Sequence, residues 1–202
     1  MHRSFLVFGI AFIAMMAGAL FYAARIPVEE TAVLETSQAD NQAVRDGVFP
    51  SFTLADLDGG QRQLNEWNGK NRLLNFWATW CAPCRREIPL LKQFQEEKGA
   101  DGFQVIGIAV DFADAVSTYA REAEFNYPIL VGQEDAMAVA ESSGIEFIGM
   151  PFTMIVAPDG ELLNSHIGEI VPADLEHIVD VLNRLDAGEI DRDSAREALN
   201  FL

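Results

Sequence analysis

Arg72-Leu-Leu-Asn-Phe-Trp-Ala78, Thr79-Trp-Cys-Ala-Pro-Cys84 and Arg85-Arg-Glu-Ile-Pro-Leu-Leu-Lys92 form the continuous stretch that decides how this chain folds. Its first part is a mostly apolar run of strand length, the pattern of a strand buried on both faces. Its last part opens a helix over Pro83 to Lys98, with Ile88, Leu91 and Phe94 at helical spacing and Gly99 as the stop. Cys81 and Cys84, the two cysteines of the chain, fall at the junction. Two intervening residues let the sulfurs meet within one turn. The first sulfur lies where unpaired backbone N–H groups and the helix dipole stabilise a thiolate, which brings a cysteine pKa from about 8.5 into a range of roughly 3.5 to 7.5. A Cys-x-x-Cys in this context points to dithiol redox chemistry. A static disulfide, half a zinc site and a pair of buried thiols are the alternatives. Zinc takes about four ligands, whereas the histidines are scattered at His2, His166 and His177, so no metal site is expected.

Outward from this stretch the punctuation is regular. Phe52 to Leu54 is a short strand, Asp58-Gly59-Gly60 a turn, and Leu64 to Trp67 a helical turn. Phe103 to Val110 is a second buried strand, Ala113 to Glu124 a helix, Tyr127 to Val131 a third strand, and Asp135 to Ser143 a helix closed by Gly144. Phe152 to Ala157 and Glu161 to Ile167 flank the turn Pro158-Asp159-Gly160 as a hairpin, and Pro172 to Leu185 is the last core helix. Alternating strands and helices imply an α/β layer with a largely parallel sheet and an antiparallel edge. Lys70 and Arg72 read as the solvated start of a strand, His166 as an exposed strand residue, and 186–202 as a helical extension packed on the domain.

The N-terminus is a separate object. Ser4 to Ala24 carries no charge, with Arg3 before it and Arg25 after it. At about 1.5 Å per residue that run crosses a bilayer of roughly 30 Å. It exceeds the apolar region of about 7 to 15 residues in a cleaved signal peptide. Residues 1–25 are therefore expected to be an uncleaved, single-pass signal anchor, 26–47 a polar tether, and 48–185 a folded domain on the far side of the membrane, where disulfides persist; cleavage of the segment would leave the same domain exported and soluble. All acidic residues follow Arg25, and the net charge of −17 disfavours nucleic acid as a partner.

Two separated motifs, Asn75-Phe-Trp-Ala-Thr-Trp-Cys-Ala-Pro-Cys-Arg-Arg-Glu-Ile-Pro89 and Gly149-Met-Pro-Phe-Thr153 with Pro158-Asp-Gly160 behind, carry a family resemblance. The order of elements resembles the thioredoxin fold, a central mixed sheet flanked by helices. The extra helix and strand from about Asp111 to Gly132 resemble the insertion of its TlpA/ResA-type branch, the membrane-anchored extracytoplasmic thiol-disulfide oxidoreductases. The resemblance covers Val48 to Leu185. It implies that Cys81, at an exposed helix start, attacks a client disulfide, and that Cys84, one turn deeper, resolves the mixed disulfide. It gives Glu87 a role in tuning the pair and carrying its proton. Trp80, Ala82, Pro83, Met150 and a cis Pro151 would receive the client strand, while Pro89 is a structural helix kink. Asn75 stands where cytoplasmic thioredoxin has a buried aspartate, and an amide cannot accept that proton, so acid–base work shifts toward Glu87 or water.

What the resemblance implies overall is a monomeric protein disulfide reductase of the bacterial inner membrane. Its domain faces the periplasm, it needs no cofactor, and it receives electrons from a membrane thiol reductant. Its clients would be apocytochromes c or copper-site cysteines of an oxidase. A copper(I) chaperone and a disulfide oxidase or isomerase are the rival readings.

Overall fold

The computed structural model describes residues 51–142 and 149–200, and its centre is strand β3 (Asn71–Trp77), every residue of which is buried. Around it in chain order lie β1 (Thr53–Asp56), β2 (Gln61–Gln63), α1 (Ala82–Lys98), β4 (Phe103–Val110), α2 (Ala113–Ala123), β5 (Ile129–Gly132), α3 (Glu134–Ser142), β6 (Phe152–Val156), β7 (Leu162–Ile167), α4 (Pro172–Asp186) and α5 (Arg192–Leu199). The strands form one sheet in the order β2-β1-β5-β4-β3-β6-β7. The centre β3-β4-β5 is parallel, while β1, β6 and β7 join antiparallel. The expected mixed sheet with an added helix and strand is therefore present as α2 and β5.

Two apolar layers explain why the strands do not alternate in polarity. Leu73, Trp77, Val105, Ile129 and Ile155 point to the face covered by α1, α2, α4 and α5. Leu74, Phe76, Ile106, Ile108 and Met154 point to the other, packed against α3 and the turn Leu64–Trp67. Burial on both faces removes the period-2 signal and leaves continuous apolar runs. Register then sets the site. Asn75 lies opposite Gly107 in β4 and Thr153 in β6, and Thr153 lies opposite His166 in β7. These four share one row on the face beneath α1 and α4.

Several expectations need correction. Arg72 is not solvated; it is 1% exposed, its Nη2 donates to the Ala157 carbonyl at 2.6 Å and its Nη1 to Asn68 Oδ1 at 3.0 Å. The sixth strand ends at Val156, so the guanidinium takes up the Ala157 carbonyl just beyond the ladder. Lys70 is half-buried and donates to Gln104 Oε1 at 3.2 Å. His166 is also half-buried, and both its ring nitrogens lie inside the protein, because its register beside Thr153 turns it toward the helical layer. Strand β5 starts at Ile129, two residues later than expected. Pro128 has no N–H for the ladder, although its carbonyl accepts from Gly107 N at 2.9 Å. The polar edge strand β2 was not foreseen.

The C-terminal helix does pack on the domain. Ala195 and Leu199 are buried, and Arg192 reaches Asp159 Oδ2 at 2.6 Å and Glu161 Oε2 at 2.9 Å across the β6–β7 turn. Among the described residues no helix is long and apolar enough to cross a membrane. The anchor, the tether and the helix stop at Gly144 lie outside the described residues.

Candidate active site

The site is assembled at the end of β3. Cys81 N donates to the Ala78 carbonyl at 3.2 Å, turning the chain out of the strand. Cys81 then takes an extended conformation as the N-cap of α1, with Pro83 in the first helical turn. That turn suits proline, since its missing N–H has no helical partner there. Cys84 N donates to Cys81 Sγ at 3.3 Å, so the sulfur occupies the position a capping oxygen normally holds. The same N–H and the helix dipole act on a thiolate when the pair is reduced. Here Cys81 and Cys84 are joined in a disulfide with Cα atoms 5.3 Å apart. Cys81 is less open than expected, at 6% exposure, but it remains the outer sulfur, since Cys84 is fully buried.

Two neighbours hold this turn in place. The Asp111 carboxylate, at the end of β4, accepts from Thr79 N at 3.0 Å, from Thr79 Oγ1 at 2.5 Å, and from Phe112 N at 2.8 Å. It ties the segment before Cys81 to the next strand. The Met150–Pro151 bond is cis, as the resemblance implied. Because Phe152 pairs with Phe76, Pro151 sits at the same end of the sheet as the turn into Cys81. Met150 packs against the apolar cluster that contains both cysteines. The Pro151 carbonyl accepts from Gly168 N at 2.9 Å.

Glu87 is the buried carboxyl of this centre. It lies one turn after Cys84 and is 1% exposed. Asn75 Nδ2 donates to its Oε1 at 2.8 Å, and Ile170 N donates to its Oε2 at 2.8 Å. Asn75 Nδ2 also donates to Thr153 Oγ1 at 3.0 Å. Burial pushes the Glu87 carboxyl up to about 7, against the opposing pull of the Ile170 and Asn75 hydrogen bonds. Desolvation outweighs those two donors because the ionised form must sit in an apolar layer. A carboxyl poised near neutrality both gives and takes protons at working pH. Asn75, which cannot replace an aspartate chemically, instead hydrogen-bonds a carboxyl.

The rim is apolar. Trp80 is 70% exposed, Phe112 67%, Ile167 51% and Val171 46%. Trp80 follows β3, Phe112 follows β4, Ile167 ends β7 opposite Phe152, and Val171 caps α4. All four stand at the end of the sheet where the disulfide lies. Ala82 is exposed there and Pro83 half-buried. Sequence reasoning singled out Trp80 but missed Phe112, Ile167 and Val171. The available signal was large apolar side chains in strand-ending loops, where polar residues are usual.

Comparison with known proteins places this geometry. The model of the AhpC/TSA family matches residues 46–165. "Thioredoxin-like protein YneN" of Bacillus subtilis is 33% identical over 138 residues, 65% of this chain and 76% of that protein. "Thiol-disulfide oxidoreductase ResA" of Bacillus thuringiensis subsp. konkukian is 27% identical over 128 residues, 63% of this chain and 72% of that protein. The crystal structure of a thiol:disulfide interchange protein of the thioredoxin family from Chlorobium tepidum superposes with a TM-score of 0.61 at 29% identity. It covers 67% of this chain and 94% of that one.

Proposed function

We propose a direction and a setting for this chain, which belongs to the AhpC/TSA family and is a thiol-disulfide oxidoreductase of the thioredoxin-like ResA type: it reduces the disulfide of a client protein outside the cytoplasm. The observation that supports the direction is the surroundings of the cysteine pair. A strong oxidant stabilises its reduced pair as a thiolate. Here that thiolate is Cys81, which is 6% exposed and set in the same apolar cluster as the fully buried Cys84, and apolar surroundings work against a thiolate. Arg85 lies over the Tyr119 ring at 5.5 Å, and Arg86 pairs with Glu169 at 2.5 Å, so both neighbouring cations are held by other partners. Helix capping at Cys81 still supplies enough stabilisation for a nucleophile.

The steps follow from position. Cys81 Sγ, as thiolate, attacks a client disulfide sulfur; the client's other sulfur leaves as a thiol once protonated. Cys84, giving its proton to the Glu87 carboxylate, attacks Cys81 Sγ and releases the second client sulfur as a thiolate, which takes up a proton. The pair ends as the Cys81–Cys84 disulfide, and two electrons have passed to the client. Trp80, Ala82, Pro83, Met150 and Pro151 line the edge on which an extended client strand is laid. The apolar Ser4–Ala24 run supports an inner-membrane anchor and a periplasmic domain, recharged by a membrane thiol reductant. Apocytochrome c cysteines or copper-site cysteines before metal loading are the client class.

Full-length Cys84→Ser, expressed in the periplasm, tests this: it should accumulate a mixed disulfide through Cys81 with a small set of cysteine-pair proteins. A reduction potential for the wild-type pair near that of strong oxidants, about −120 mV, would refute the reducing direction.

A further inference from the structure

Three buried polar atoms on the helical face of the sheet have no hydrogen-bond partner among the described residues: Asn75 Oδ1, Trp77 Nε1 and Tyr127 Oη. Buried groups of this kind are nearly always satisfied, and these three are neighbours. Asn75 and Trp77 are two apart in β3, and Gly107 in β4 lies opposite Asn75. A Cβ placed on Gly107 would meet Ile129 Cδ1 at 2.7 Å, Trp77 Nε1 at 3.0 Å and Tyr127 Cε2 at 3.3 Å. The indole N–H and the phenol ring thus converge over a residue that has no side chain, beside the Asn75 amide. Their hydrogen-bonding capacities are complementary to one small ligand. Trp77 Nε1 only donates, Asn75 Oδ1 only accepts, and a phenol does both. A single water accepts from the indole, donates to the amide oxygen, and bonds the phenol with its remaining capacity, matching the roughly three bonds of a typical buried water.

We propose that Asn75, Trp77 and Tyr127, around Gly107, bind a structural water that fixes the Asn75 amide with its Nδ2 toward Glu87, making Tyr127 a remote positioning residue for the active-site acid. This rests on the acid–base reading of Glu87. The water matters because the amide has two faces. With Oδ1 engaged by the water, both Nδ2 hydrogens go to Glu87 Oε1 and Thr153 Oγ1, an arrangement that favours the carboxylate. With the amide reversed, Oδ1 would face Glu87 and favour the protonated acid. Burial raises the Tyr127 hydroxyl well above its ordinary pKa, with the Glu87 charge a further cause. The phenol therefore stays protonated at working pH and lies within electrostatic reach of Glu87, whose own oxygens are bonded to Asn75 and Ile170.

The test uses the full-length chain with 15N-labelled tryptophan, of which there are three residues, and 13C-labelled glutamate carboxyls. Trp77 Nε1–H should show a cross-relaxation signal to a long-lived water. Tyr127→Phe keeps the ring and its packing but removes the hydroxyl. It should weaken the water signal and raise the Glu87 carboxyl midpoint by about 0.5 to 1 pH unit, the size of one neutral hydrogen bond. A wild-type Trp77 without a water signal, or a Tyr127→Phe midpoint equal to wild type, overturns the proposal. Glu87→Gln identifies the carboxyl signal by its loss. If it removes no titration near neutrality, the acid–base reading itself fails and the tuning falls with it. The two failures are distinct, since the Trp77 water signal is read without Glu87.

Discussion

Glu87→Gln makes the strongest demand on the structure. The wild-type carboxyl titrates near 7 in the folded protein, against 4.5 ordinarily, chiefly because burial penalises its charge. A folded pKa above the unfolded one means that the folded state binds the proton more tightly. The stability this group confers is therefore fully present below about pH 4.5 and lost as pH rises through about 7. Those two values give a loss of about 2.5 kcal/mol between pH 5 and pH 8. Glutamine removes the titration while keeping the shape. Its Oε1 accepts from Ile170 N, and the Asn75 amide turns over to accept from its Nε2, giving up the Nδ2 bond to Thr153 Oγ1. The assay is urea denaturation of the oxidised full-length protein and the variant at half-unit steps from pH 5 to pH 8. The variant should lie close to or below wild type at pH 5 and gain on it by about 2 to 3 kcal/mol at pH 8. Parallel stability curves would refute the claim that Glu87 is held near neutrality by burial.

Three further perturbations follow from the same contacts. Asp111→Ala removes the acceptor of Thr79 N and Thr79 Oγ1; a loss of about 1 to 3 kcal/mol is expected, with slower disulfide exchange, and an unchanged denaturation midpoint would count against this tie. Trp80→Ala, at a side chain 70% exposed, should raise KM for a protein client several-fold while leaving reaction with dithiothreitol unaltered; equal effects on both substrates would make Trp80 something other than a docking residue. Arg72→Met leaves the Ala157 carbonyl and Asn68 Oδ1 without their donor and should destabilise by about 1 to 3 kcal/mol, whereas a solvated Arg72 would tolerate the change within about 0.5 kcal/mol.

The residues that local chemistry dictates were legible in the sequence. Cys81 and Cys84 announce themselves because two-residue spacing and a strand-to-helix junction are local properties, and so are the helical periodicity of α1 and the Pro158-Asp159-Gly160 turn. Glu87 could be placed on the face of Cys84 by counting along a helix. Partnerships across the sheet were not readable in this way. That Asn75 donates to Glu87, that Thr153 backs Asn75, and that Arg72 is buried against Ala157 depend on which strands become neighbours and in what register. No property of one segment encodes that pairing. His166 was misread for the same reason, since its burial comes from lying opposite Thr153, thirteen residues away, under a helix that follows it.

The sequence by itself determined a dithiol pair at a helix start and an α/β layer, because spacing and periodicity act over a few turns of chain. The tertiary structure alone decided the character of the chemistry. By packing α1 and α4 onto the row Asn75, Gly107, Thr153 and His166, it takes the Glu87 carboxyl out of water, leaves it two donors, and so raises its pKa to about 7. Desolvation is a property of everything packed around a group, and it appears only when the chain has closed over it.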